Sequence, residues 1–301
     1  MRLLFTILVF SLILAFCASP VFALPAMELR LETGGLIRRA LLVNEAPERE
    51  TRPVVIVLHG GGGSAEQMRR RAGFDELAVT QGFSVVYAEG VAWAPGRHAW
   101  NTGYLSPRQS GRADDIAYLD ALIDLLIARH RADPSRVYMT GGSNGAMMVF
   151  VYAVARSERL AAIAPVVGAM FSFASAPRNP VPILMINGAR DDEVPLEGGM
   201  SRNPLVASAQ AAPYQSWEDT VGFWVSVNRA GSRPSVEIAE DVTTRTHAAG
   251  PDGAIVISVI DAAGGHGWPG SFSGRRDNTP IQSFRGAERV WDFFRTQRRA
   301  D

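Results

Sequence analysis

The sequence predicts an α/β protein, a mostly parallel β-sheet with helices on both faces and an antiparallel hairpin at its front edge. Three observations predict it. Short β-branched runs are apolar without alternation, as strands covered on both faces are. Stretches with helical periodicity lie between them. Gly and Pro gather in the segments that follow the apolar runs, and no Pro/Thr/Ser-rich linker, repeat or low-complexity tract interrupts the pattern.

The elements follow in chain order. Glu28–Glu32 and Leu36–Asn44 form the hairpin. Pro53–Leu58, read as Pro-Val-Val-Ile-Val-Leu, is the first covered strand, followed by a helix over Ala65–Gln81 and a strand over Phe83–Tyr87. Glu89 to Gly111 is a loop holding Trp93, Trp100 and Tyr104. Arg112–His130 is the clearest helix: Ile116, Leu119, Leu122, Ile123, Leu126 and Ile127 share a stripe, with Asp114, Asp115 and Asp120 off it. The acidic pair at its start complements the helix dipole. Strands over Arg136–Thr140, Pro182–Ile186 and Ala254–Ile260 then alternate with helices near Asn144–Ser157, Ser216–Ala230 and Phe284–Gln297.

The 301 residues carry 30 basic and 30 acidic side chains, and every basic one is Arg. Without Lys there is no Walker-type phosphate loop, no Schiff-base lysine and no Ser-Lys pair. The single Cys is Cys17. Met1 to Ala23 has a cationic start, an apolar run from Leu3 to Phe16, and small residues at Val21 and Ala23. That pattern predicts a signal peptide cut after Ala23, with residues 24–301 forming one secreted domain. A membrane anchor would need about 20 apolar residues, and Pro20 closes the run too soon. Lipid attachment at Cys17 would want a small residue before it, where Phe16 stands. The processed chain then has no thiolate nucleophile, Cys-ligated metal or disulfide. The balanced charge makes no electrostatic case for nucleic acid as a partner.

Chemistry concentrates in the loops after the strands. Arg136–Thr140 runs into Gly141-Gly142-Ser143-Asn144-Gly145 and a helical stretch, which is G-x-S-x-G in the strand–turn–helix setting it requires. The turn strains the Ser backbone, the glycines admit close neighbours, and the helix start aims N–H groups at developing negative charge. Pro53–Leu58 ends in His59-Gly60-Gly61-Gly62-Gly63-Ser64, an HGGG-type loop of the kind that supplies an oxyanion donor in α/β-hydrolases. A dinucleotide loop does not fit, since Ala65 takes the third glycine position. His59 reads as structural, beneath the loop. Of the other histidines, His130 ends a helix, His247 lies in a strand and His98 in an aromatic loop. His266 stands in Gly264-Gly265-His266-Gly267-Trp268-Pro269-Gly270, where a glycine-rich loop after a strand has no packing reason to hold an imidazole, so His266 is the expected base. Its carboxylate partner lies in Asn187-Gly188-Ala189-Arg190-Asp191-Asp192-Glu193-Val194-Pro195, where composition does not rank the three acids.

Four stretches together resemble a known family: Leu58–Ser64, Gly141–Met148, Gly188–Pro195 and Gly265–Gly270, with Phe74–Ala78 and Trp100-Asn101 similar as well. They look like the secreted esterases grouped with polyhydroxybutyrate depolymerases and type-1 feruloyl esterases, in their single-domain branch. The resemblance implies an α/β-hydrolase fold and a G-x-x-D-x-x-V-P pattern that puts the triad acid on Asp191, leaving Asp192 and Glu193 as solvated loop charges. It departs in two places: relatives often carry paired cysteines near the stretch matched by Trp224 to Ser232, and an aromatic residue where Leu196 stands.

The expected chemistry is two-step acyl transfer without metal or organic cofactor, with Ser143 as nucleophile, His266 as base, and the N–H groups of Asn144 and Gly61 holding the oxyanion. Trp93, Trp100, Tyr104 and Trp268 are candidate substrate contacts. The family offers hydroxyalkanoate esters, or feruloyl and acetyl esters of plant polysaccharide. Polymer depolymerases usually add a linker and a binding domain, and neither is read here, which turns the expectation toward soluble oligomers or small esters. An acyltransferase on the same fold is the rival enzyme, and a non-catalytic binding protein the rival class.

Overall fold

The computed structural model of the chain describes residues 24–104, 113–172, 175–271 and 280–299. Met1–Ala23, with Cys17 and the expected cleavage site, lies outside the described residues, as does part of the aromatic loop.

The front hairpin forms from β1 (Met27–Thr33) and β2 (Leu36–Val43), in register from Met27 opposite Leu42 to Thr33 opposite Leu36. Next come β3 (Arg52–Leu58), helices α1 (Ala65–Ala72) and α2 (Phe74–Gln81), and β4 (Ser84–Ala88). A small separate ribbon, β5 (Val91–Ala94) and β6 (Arg97–Ala99), precedes α3 (Asp115–His130), β7 (Ala132–Gly142), α4 (Asn144–Ala155) and β8 (Ala162–Val166). The chain continues through β9 (Ile183–Gly188), the short α5 (Pro204–Ala207), α6 (Trp217–Val227), β10 (Ser235–Ala239), β11 (Val242–His247), β12 (Val256–Asp261) and α7 (Gly286–Phe294).

One ten-stranded sheet runs β1-β2-β4-β3-β7-β8-β9-β12-β11-β10. Its six middle strands, β4 to β12 in that order, are all parallel, and both flanks are antiparallel. Parallel strands share one carboxyl edge, so the loops after β3, β7, β9 and β12 meet there.

The unbroken apolar runs are explained by the two packing layers. Along β3, Val54, Ile56 and Leu58 face a cluster with Leu119 and Leu122 of α3, Met148 and Tyr152 of α4, and Trp224 of α6. Val55 and Val57 face the other layer, with Met68 of α1, Phe74 of α2 and Trp291 of α7. A strand apolar on both sides has no solvent face on which to alternate.

Several elements differ from the sequence reading. The helix expected over Ala65–Gln81 is two helices, broken at Gly73, whose φ of 75° caps one and starts the next. Strand β8, Ala-Ile-Ala-Pro-Val, is central and fully buried although Pro165 and its two alanines depress strand propensity. The outer strand β10, exposed along its whole length, and the short β5–β6 ribbon lie where the sequence reading places no strand. Asp114 is the N-cap of α3, accepting from the Ala117 N–H at 2.9 Å. Asp115, expected on the exposed side, is instead buried in an ion pair with Arg38 at 2.6 Å. Among the described residues no helix is long and apolar enough to cross a membrane.

Candidate active site

Ser143 sits between β7 and α4 with φ 55° and ψ −121°, a conformation that costs a non-glycine residue on the order of 1–3 kcal/mol. The surroundings hold it there. Its N–H donates to the Val166 carbonyl at 3.0 Å, and its carbonyl accepts from Met147 N–H at 3.0 Å as α4 begins. A Cβ on Gly145 would fall 2.5 Å from the carbonyl oxygens of Leu58 and His59. Only glycine lets the helix start approach the end of β3 this closely.

The acid and histidine loops are stitched together by backbone. Gly188 lies against Gly264, where a Cβ would come within 2.3 Å of the Gly264 carbonyl oxygen, and Arg190 N–H donates to that oxygen at 2.8 Å. Asp191 is buried. Its Oδ1 accepts the N–H groups of Glu193 (2.9 Å) and Val194 (2.8 Å), which turns its Oδ2 toward Nδ1 of His266 at 2.8 Å. On the other side of the ring, Nε2 lies 2.8 Å from Ser143 Oγ. The structure thus joins Ser143, His266 and Asp191 in one hydrogen-bonded chain, and of the three candidate acids it is Asp191 that reaches the imidazole at Nδ1. Asp192 points outward to an exposed contact with Arg202 at 3.4 Å. Glu193 is not the solvated charge expected of it: its side chain is 12% exposed, and Oε2 lies 3.3 Å from His266 Nε2.

The glycine loop lies against Ser143, with the Cβ position of Gly60 3.4 Å from Ser143 Cβ and that of Gly61 3.5 Å from Asn144 Cβ. The N–H groups of Gly62 and Gly63 are used within the protein, on His98 and Gly60 carbonyls at 2.8 and 3.0 Å. Beneath the loop His59 is buried between two backbone groups. Its Nδ1 meets the Gly60 carbonyl at 2.8 Å, and its Nε2 accepts the Gly90 N–H at 3.0 Å. That pairing requires the neutral ring protonated on Nδ1, and burial lowers its pKa to about 4. The remaining histidines face elsewhere: His130 pairs with Glu45, His247 with the Gly231 carbonyl and His98 with the Gly63 carbonyl.

The Asn144 side chain ties the elbow to this loop. Its Oδ1 accepts Trp100 N–H at 2.8 Å and its Nδ2 donates to the Trp100 carbonyl at 3.2 Å. Next along the chain, Asn101 N–H donates to Asp115 at 2.6 Å, so the buried Arg38–Asp115 pair anchors the same segment.

A cleft of about 340 Å³ opens at Ser143 and His266, and its walls include Gln67, Met68 and Arg71 of α1, Val167, Glu193 and Trp268. Of the four aromatic candidates, Trp268 is on this wall, with its indole N–H on the Ala72 carbonyl at 3.1 Å. Trp100 is a correction. It has no exposed surface and its Nε1 donates to the His59 carbonyl at 2.9 Å, so it supports the loop from below. Trp93 and Tyr104 are off the described wall: Trp93 lies under the Arg97 guanidinium, and Tyr104 stacks on Phe171 with ring centroids 4.6 Å apart. Leu196 packs against the core. Sequence reasoning missed Gln67 and Arg71 as lining residues and placed Glu193 in solvent. The i, i+4 spacing of Gln67 and Arg71 on the helix after the glycine loop was the available signal for the first two.

Residues 37–201 match the family model described as esterase PHB depolymerase. The protein named as esterase NocK from Nocardia uniformis subsp. tsuyamanensis is 32% identical over 237 residues, covering 73% of this chain and 67% of that one. Feruloyl esterase B of Piromyces equi is 26% identical over 190 residues, 60% of this chain, and the chain spans only 33% of that relative's length. The fold is similar to that of an acetyl xylan esterase from Aspergillus awamori, with a TM-score of 0.60 over 89% of this chain and 98% of that one at 14% identity. With its mostly parallel sheet and strained serine turn, the chain belongs to the PHB depolymerase esterase family, carboxylic ester hydrolases on the α/β-hydrolase fold.

Proposed function

We propose that this protein is an exported serine esterase that cleaves hydroxyalkanoate oligomers or small esters through an acyl-enzyme on Ser143. The observation that carries the reading is the chain Ser143 Oγ–His266 Nε2 and His266 Nδ1–Asp191 Oδ2, with both contacts at 2.8 Å. Asp191 holds the proton on Nδ1, which leaves the Nε2 lone pair to accept the Ser143 proton as Oγ bonds to the ester carbonyl carbon. Charge on the carbonyl oxygen is held by N–H groups of Asn144, the first residue of α4, and of Gly61, whose neighbours Gly62 and Gly63 are already engaged. Each donor is worth about 3 kcal/mol of barrier. The Nε2 proton passes to the alkoxide oxygen as the alcohol leaves. Water then gives a proton to the same nitrogen as it attacks the acyl-enzyme, and that proton passes to Ser143 Oγ as the bond from carbon to Oγ breaks and the acid leaves.

The size of the cleft suits a short acyl or alkyl group, and the family description favours a hydroxyalkanoate. A feruloyl or acetyl ester of a polysaccharide is the second reading, supported by the relative named as a feruloyl esterase and by the polar wall that Gln67, Arg71 and Glu193 would offer to sugar hydroxyls. Export rests on the Met1–Ala23 pattern, and the N-terminal sequence of the protein recovered from outside the cytoplasm tests it. The test of the catalytic reading is Ser143→Ala on a panel of a short-chain aryl ester, methyl ferulate and hydroxybutyrate oligomers. Turnover should fall by about a millionfold in a folded protein. Persistent activity in that variant removes the assignment, product analysis with an added alcohol separates hydrolysis from acyl transfer, and the preferred ester decides between the two substrate classes.

A further inference from the structure

One charged side chain at the reacting atoms has no place in a Ser-His-Asp mechanism. Glu193 follows Asp191 by two residues, and the turn closed by the Glu193 and Val194 N–H groups on Asp191 Oδ1 returns its carboxylate toward the imidazole. Its Oε2 lies 3.3 Å from His266 Nε2, the nitrogen that also meets Ser143 Oγ at 2.8 Å. The other carboxylate oxygen accepts from Asn203 Nδ2 at 3.4 Å.

We propose that Glu193 is a further catalytic residue, a second carboxylate that stabilises the imidazolium form of His266 from its Nε2 side. The inference rests on the triad reading above. A neutral ring with its proton on Nδ1 presents a lone pair at Nε2, and a carboxylate oxygen beside a lone pair is repelled. A proton on Nε2 turns that contact into an attraction. With both carboxylates ionised, only the charged ring satisfies Asp191 and Glu193 together. During attack, the Oγ–H bond breaks, its proton bonds to Nε2, and the Oγ electron pair forms the bond to carbon. The imidazolium made in that step sits between two carboxylates, and its Nε2 proton is then handed to the leaving alkoxide oxygen.

Two consequences of opposite sign follow. In the resting enzyme Glu193 raises the proton affinity of His266, which moves the acid limb of kcat/KM to higher pH. Once the resting ring is neutral, Glu193 still stabilises the imidazolium that forms, which raises the alkaline plateau.

The other groups around the ring, among the described residues, do not duplicate this effect. Asp191 acts on Nδ1. The Tyr214 phenol is buried near both carboxylates, and burial with their charge pushes its pKa up, so it stays neutral. His59 beneath the glycine loop is held neutral by burial. Asp261 at the root of the histidine loop is occupied by the Ala263 and Gly264 N–H groups and the Ser283 hydroxyl. Arg190 and Asp192 are exposed on the acid loop, and the exposed Arg71 is on the α1 wall.

The experiment measures kcat/KM for a neutral alkyl ester, by proton release from about pH 5 to about pH 9, in wild type, Glu193→Gln, Glu193→Asp and Ser143→Ala. Glu193→Gln should move the acid limb down by about one pH unit and lower the plateau about threefold to tenfold, and Glu193→Asp should restore both in part. A merely structural role would lower the rate at every pH and leave the limb in place, and an unmoved limb overturns the proposal. A second measurement needs no turnover. The ring nitrogens of His266, followed by NMR in Ser143→Ala, should titrate about one pH unit lower when Glu193→Gln is added, and an equal midpoint in both proteins overturns the proposal. If Ser143→Ala keeps its activity, the triad reading itself fails. If it is silent and the limb has not moved, only the role of Glu193 fails.

Discussion

His59 makes the protein's stability depend on pH in a way that can be worked out from its surroundings. Its ring is buried with Nε2 accepting from Gly90 N–H and Nδ1 on the Gly60 carbonyl, and burial brings the pKa from an ordinary 6.5 to about 4. The folded pKa lies below the unfolded one, so as pH falls the unfolded chain binds the proton first. The contribution of His59 is therefore complete above about pH 6.5 and is lost between there and about pH 4. At 1.36 kcal/mol per pH unit, the gap amounts to about 3 kcal/mol, of which about 2.5 is gone by roughly pH 4.5. The measurement is urea unfolding at several pH values between about 7.5 and about 4.5 in wild type and His59→Gln. The amide can retain a donor and an acceptor for the same two backbone groups but does not titrate. Carboxylates destabilise both proteins equally in acid, so the difference between the two curves isolates His59. Wild type should lose about 2.5 kcal/mol more than the variant over that range. Parallel curves, or an NMR titration of the His59 ring near pH 6.5, would refute the assignment of His59 as a neutral prop of the glycine loop.

Three further outcomes rest on the same geometry. Asp191→Asn should lower kcat about ten-thousandfold by favouring the wrong tautomer of His266, whereas Asp192→Asn, whose carboxylate faces Arg202 in solvent, should stay within about twofold; steady-state kinetics on one ester compares them. Asn144→Ala keeps its backbone N–H but leaves the N–H and carbonyl of the fully buried Trp100 without their partners, so urea unfolding should show a loss of about 3 kcal/mol at unchanged m-value. Gly145→Ala puts a methyl 2.5 Å from two backbone oxygens at the end of β3, and its melting temperature should fall by an amount equivalent to about 3 kcal/mol.

The parts of the fold legible in the sequence are those whose burial is written in apolar character. Strand β3 and the α3 stripe read directly because each side chain there faces one of two packed layers. Strand β8 is as buried as β3, but Ala162, Ala164 and Pro165 carry little of that signal; what makes the segment a strand is its place between β7 and β9, with Gly141 opposite Pro165. A strand specified by its neighbours has no reason to resemble one specified by itself. Asp115 shows the same limit for charge. Its position at a helix start reads as a dipole partner, and nothing local indicates that Arg38, far away in sequence, arrives beside it.

The candidate site divides along the same line. The proposed nucleophile and base are legible because their demands fall on the backbone: a strained turn, a helix start pressed against β3 and a loop with room for a ring each require glycine, and glycine is visible in a sequence. The acid makes no such demand. Asp191, Asp192 and Glu193 are chemically alike, and their fates separate only through the turn in which two N–H groups close on Asp191 Oδ1. That turn sends one carboxylate to Nδ1, the next to solvent and the third back to Nε2. Family resemblance could pick the first from a pattern, but by the same pattern it consigned Glu193 to solvent. The residues of this chain that differ in role from a shared pattern are therefore those whose placement depends on backbone course rather than on composition, and Glu193, beside the reacting nitrogen, is where that difference bears on the chemistry.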